Sequence, residues 1–117
     1  MNREIKFRRW HKHLLDMVYS DSLSGFFDMV DTYPDQYEIM QFTGLKDKNG
    51  KEIYESDRVF DPFAPKDERE LFTVKHDNEM ARFILDGEGE ASWDETDWQI
   101  YDNIYEQKPT KELNEDR

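Results

Sequence analysis

The chain has 117 residues, with 28 acids against 16 Lys and Arg for a net charge of −12, no cysteine, and 15% aromatics beside a lean 36% of hydrophobic residues. That length holds one domain, which buries roughly two thirds of the surface its unfolded chain exposes. The absence of cysteine excludes disulfides, thiolate nucleophiles and sulfur-ligated metals and fits a reducing cytoplasm. Each buried ring removes on the order of 150–250 Å² from water, so the rings compensate for scarce aliphatics and argue for a folded chain.

Residues 4–10 read as a strand in which Ile5 and Phe7 alternate with Lys6 and Arg8. The run Met17-Val18-Tyr19 pairs back on it as a hairpin, with the polar His11, Lys12 and His13 near the bend. Between residues 21 and 34, Leu23, Phe26, Phe27 and Val30 fit a helical spacing that Gly25 and Pro34 keep short, giving one short helix or an ordered loop. Residues 37–43 are the best strand, apolar on both faces and therefore central in its sheet. Asp47-Lys48-Asn49-Gly50 supplies turn chemistry, since Asn and Gly tolerate the positive φ of tight hairpins, and residues 51–54 return antiparallel.

A further strand starts at Asp57 and stops before Pro62, and residues 66–70 read as an exposed loop. Residues 71–76 and 81–85 form a hairpin across Asp77-Asn78-Glu79-Met80, and residues 99–105 form the last strand. The expected architecture is mainly β, with β-rich α+β as the alternative: a small twisted or partly closed barrel of about six or seven strands, SH3-like in part. Residues 1–106 form the single domain and 107–117 a polar tail that frays. No window of 18 apolar residues and no signal-peptide pattern occurs, so membrane spanning and export are disfavoured.

Charge is unevenly distributed. Residues 1–13 carry Arg3, Lys6, Arg8, Arg9 and Lys12 against Glu4, a net +4 that leaves −16 for the remainder of a chain at −12. Such a field repels nucleic acid and attracts basic partners. The run Glu88, Glu90, Asp94, Glu95 and Asp97, with Asp86 before it and Trp93 and Trp98 interleaved, is the candidate interaction patch. Acids there steer a basic partner and the two indoles anchor it; the alternative is that the indoles belong to the core and the acids only solubilise.

Other constellations carry less. His11, His13 and Asp16 are the one cluster of metal-ligand types, too few for a closed site. Asp47 to Gly50 is superficially like a calcium loop, but its glycine comes too early. Carboxylates act as general acid and base only where burial splits their pKa values, and a run bracketed by Gly87 and Gly89 reads as solvated. A stacking platform for single strands needs a basic track that the overall charge opposes. No catalytic residue, cofactor or metal is therefore assigned.

Three segments together resemble a known family. Arg3-Glu-Ile-Lys-Phe-Arg-Arg-Trp10 is similar to an opening R-x-I-K-F-R-A-W; Met40-Gln-Phe-Thr-Gly-Leu-Lys-Asp-Lys-Asn-Gly-Lys-Glu-Ile-Tyr-Glu55 resembles a central motif almost letter for letter; Asn103-Ile-Tyr-Glu106 is similar to a closing G-N-I-Y-E. These are marks of the YopX family of phage and prophage proteins. The resemblance implies phage or prophage origin and a β-rich domain, and it brings no catalytic residue or cofactor. Ser56 stands where the family has Gly in Y-E-G-D, and Asp102 where it has Gly before Asn; if those glycines serve positive φ, the substitutions strain the turns or change them.

The functional expectation is a non-enzymatic accessory protein that binds a host or phage protein through its acidic surface, with self-association through strand edges a further option. The first alternative is a nucleic-acid-associated module using the basic N-terminal hairpin. A weaker one is a hydrolase using acidic residues.

Overall fold

The computed structural model describes residues 5–20, 30 and 32–114. The expected helix or loop at 21–34 falls largely outside the described residues; within its end, Pro34–Gln36 forms one 3-10 turn that leads into a strand. Eight strands are present among the described residues, more than the six or seven expected: β1 Phe7–His11, β2 Asp16–Tyr19, β3 Tyr37–Lys46, β4 Glu52–Tyr54, β5 Asp57–Phe60, β6 Phe72–Asp77, β7 Arg82–Asp86 and β8 Gln99–Asn103. They form two antiparallel four-stranded sheets, ordered β2-β1-β3-β4 and β7-β6-β5-β8. The molecule is mainly β, as the alternation of its apolar residues requires. No helix among the described residues is long and apolar enough to cross a membrane.

β3 is interior, with β1 on one side and β4 on the other, and its Met40 and Phe42 are buried. Its pairing with β4 shifts between Phe42 and Lys46. Gly44 lies at that bulge with φ 90°, a conformation that L side chains resist. The β3–β4 turn follows the expected segment with a different economy. Gly50 alone takes positive φ, 82°, and Asp47 closes the turn by accepting the N–H groups of Asn49 and Lys51 on Oδ1, each at 2.9 Å.

β1 buries the opposite face from the one its apolar alternation suggests. Arg8 and Trp10 are buried while Ile5 stays 65% exposed. Trp10 stacks on Tyr105 at 5.4 Å, which closes the start of the chain on the segment after β8.

Backbone groups tie the sheets together at two places. Between β4 and β5 the chain turns at Ser56, whose N–H donates to Val74 and whose carbonyl accepts from Ile104. At the other end, Lys48 N–H donates to Trp98 O and Asp47 Oδ2 accepts from Ile100 N–H at 3.1 Å. The β3–β4 hairpin thereby touches β8, and the two sheets form a partly closed barrel. Ile53, Val59, Phe72, Val74 and Trp98 make the core, with Phe83, Leu85, Trp93 and Ile100 packed against it.

A smaller cluster holds Phe60, Tyr101 and Leu113. Polar as it is, the segment after 106 is therefore fastened as far as residue 114. Leu113 is buried, Arg69 Nη1 donates to Leu113 O, Lys108 N–H donates to Asp102, and Tyr101 OH donates to Pro109 O.

Candidate functional site

The predicted interaction patch divides in two. Glu88, Glu90, Asp94, Glu95 and Asp97 are exposed along the β7–β8 connection, as solvated carboxylates must be when no cation neutralises them. The indoles are not exposed anchors. Trp98 is 5% exposed and lies in the core, and Trp93 is half-buried against it. Their N–H groups still serve the patch: Trp93 Nε1 donates to Phe83 O at 2.9 Å and Trp98 Nε1 to Ser92 O at 3.1 Å.

Two further bonds fasten the same connection, Gly89 N–H to Glu70 Oε2 at 2.7 Å and Thr96 Oγ1 to Asp61 Oδ1 at 2.9 Å. The acids consequently project from a fixed loop rather than a loose one. An exposed ring does stand beside them. Phe63 is 67% exposed, and its N–H donates to the same Asp61 Oδ1 that holds Thr96. Lys48 Nζ lies 4.9 Å from the centre of its ring. Phe63 was not among the residues singled out from the sequence, because Pro62 and Pro65 marked its surroundings only as a strand end.

Three cations of the basic N-terminal hairpin pair with carboxylates of the same chain. Arg8 Nη2 pairs with Asp57 at 3.0 Å, Lys6 with Glu52 at 2.5 Å and Lys12 with Glu38 at 3.1 Å. Arg9 lies over the Tyr37 ring. Phosphates would have to compete with carboxylates for those three paired cations. His11 acts as a cap: its Nδ1 accepts the N–H groups of His13 and Leu14. Among the described residues no group of three or more His, Asp or Glu is gathered for a metal ion.

Among the described residues three carboxylates are buried, Asp47, Asp57 and Asp102, and all are occupied, Asp47 by the turn and β8 N–H groups described above. Asp57 Oδ1 accepts from Arg8 and Oδ2 from Tyr54 N–H at 2.8 Å. Burial pushes its pKa above the ordinary value, while Arg8 and the Tyr54 N–H pull it back part of the way. Asp102 takes Arg58 in a fork, at 2.6 and 2.5 Å, and accepts Lys108 N–H as well. That bond is what raises the Arg58 pKa. Each oxygen of Asp57 and Asp102 accepts at least one hydrogen bond.

The three segments that resemble the YopX family converge here. Arg8 from the first, Tyr54 from the second, and Asn103 and Glu106 from the third sit round the Arg8–Asp57 pair, and Asn103 Nδ2 donates to Glu106 Oε1 at 3.1 Å. The family model for YopX protein matches residues 25–110. The chain belongs to the YopX family. A solved structure similar in fold is that of protein EF1440 from Enterococcus faecalis, at a TM-score of 0.68 with 22% identity, covering 97% of this chain and 100% of that one. At that identity the likeness speaks for the fold alone. No curated protein matches the chain in sequence.

Proposed function

We propose that this YopX-family chain is a non-enzymatic accessory protein of phage or prophage origin that binds a basic host or phage protein in the bacterial cytoplasm. The observation that carries this reading is the fixed loop of five exposed carboxylates beside the exposed Phe63 ring. Carboxylates on a tied loop leave less backbone freedom to lose on pairing, and an exposed ring fastened to the same loop through Asp61 supplies contact area that charge alone does not. In this reading Trp93 and Trp98 hold the loop from beneath and touch no partner.

Immobilised protein incubated with bacterial lysate tests it. The expected result is capture of a basic protein that is released as salt rises and is no longer captured by Asp94→Asn/Glu95→Gln/Asp97→Asn. Equal capture by that variant would contradict the reading.

A further inference from the structure

A cleft of about 400 Å³ opens between the two sheets beside the Arg8–Asp57 pair, within the size range of small-molecule sites. It lies apart from the acidic loop and plays no part in the binding proposed above. Its lining holds four acids against three bases, and cations from outside the lining complete the balance. Glu52, Asp57 and Asp102 are each paired with a cation, Lys6, Arg8 and Arg58 in turn. Lys51 and Lys108 also line the cleft; among the described residues neither is in an ion pair, although Lys51 acts on Asp57 through space and Lys108 Nζ lies 5.3 Å from the centre of the Tyr101 ring. Glu106 is the one acid left to face them, and one of its oxygens is taken by Asn103.

Arg8 lines this space, its Cζ 6.0 Å from the centre of the Tyr19 ring and 4.9 Å from that of Tyr54. It is 3% exposed, yet its five N–H groups are only partly used. Nη2 makes both good bonds, to Glu55 O and Asp57 Oδ1, each at 3.0 Å. Nε meets the weak acceptor Met40 Sδ at 3.4 Å, and Nη1 has only the Tyr19 hydroxyl at 3.5 Å, beyond the length of a sound hydrogen bond. A buried guanidinium with an underused nitrogen, in a polar cleft edged by two lysines, is a built receptor for an oxyanion.

We infer that the cleft binds the carboxylate or phosphate of a small polar molecule. The oxyanion accepts from Arg8 Nη1, and the Lys51 and Lys108 ammonium groups close over it. The free oxygen of Glu106 accepts a hydroxyl or ammonium group of the same ligand, so a hydroxy acid binds better than the plain acid.

Amide and Arg8 Nε–H chemical shifts of the intact chain, followed by NMR during titration with sodium phosphate, acetate or glycolate, test this. Sodium chloride at matched sodium is the control, because any salt screens a chain at net −12. The expected result is saturable shifts centred on Arg8, Lys51, Asn103 and Lys108 with phosphate, with a carboxylate or with both, and glycolate tighter than acetate if a carboxylate is the anion. Lys51→Met/Lys108→Met removes only exposed side chains and is expected to fold; it weakens binding about tenfold, the effect of losing charge-assisted bonds. Shifts that stay linear, that chloride reproduces, or that the double variant leaves undiminished overturn the site.

Discussion

Ser56 sits at φ 74°, where an L side chain crowds its own backbone at a cost of about 1–2 kcal/mol. The hydroxyl offsets part of this with a hydrogen bond to Tyr105. The resemblance placed a glycine here, and the strain it implied is present. At Asp102 there is no such strain: its backbone is not among the positive-φ residues, and its side chain ties Arg58 to the segment after β8. Ser56→Gly is therefore expected to exceed Ser56→Ala in stability by about 1 kcal/mol in urea unfolding, since only the first relieves the strain while both lose the hydroxyl. Equal stabilities would contradict a strained turn.

Asp57 makes a prediction of the opposite kind, in pH. Burial raises its folded-state pKa above the ordinary 3.8, so the native protein holds a proton that the unfolded chain has already released. Its contribution to stability is fully present below 3.8 and is lost as pH rises through the folded value. A carboxyl carbon titration by NMR is expected to give Asp57 a midpoint above 3.8. A midpoint at or below that value would mean that Arg8 and the Tyr54 N–H outweigh burial.

Among the elements, the β3–β4 hairpin does more than return the chain. Asp47 accepts three backbone N–H groups, two in its own turn and one from Ile100 on β8, so one carboxylate both shapes the hairpin and holds the sheets together. Asp47→Ala leaves these donors without their acceptor and is expected to cost about 2–4 kcal/mol, against less than about 0.5 kcal/mol for Asp67→Ala on the exposed 66–68 turn. Similar losses from both would reduce Asp47 to an ordinary turn residue.

The hairpins were legible because their cues are local: Asn49 and Gly50, Asp77 to Met80, and the β-branched and aromatic runs beside them. The buried face of β1 was not. A solvent-facing Arg8 is the default reading of a charged residue, and only Asp57, 49 residues away, makes its burial tolerable. The short β2 and β4 were likewise visible only as partners of longer strands. Trp98 reads as an anchor or as core with equal ease until the sheets that enclose it are known, and the cleft exists only because distant segments meet.

Across the whole molecule, the charge separates by use. Cations near the N-terminus are spent on internal pairs with Asp57, Glu52 and Glu38, and the carboxylates of the β7–β8 connection face water. Neutralising Asp94, Glu95 and Asp97 is accordingly expected to leave the urea midpoint unchanged or slightly raised, because like charges are being removed from a surface. A large loss of stability would instead give those acids a role in the fold.

The most direct test of the docking face is a photo-crosslinking amino acid placed at Phe63 in living bacteria, compared with the same group at Met80, which is also exposed. The account predicts crosslinks from position 63 to a basic segment of one protein, abolished by Asp94→Asn/Glu95→Gln/Asp97→Asn, and none of that pattern from position 80. The same products from both positions, or products from 63 that survive neutralisation of the loop, would contradict it.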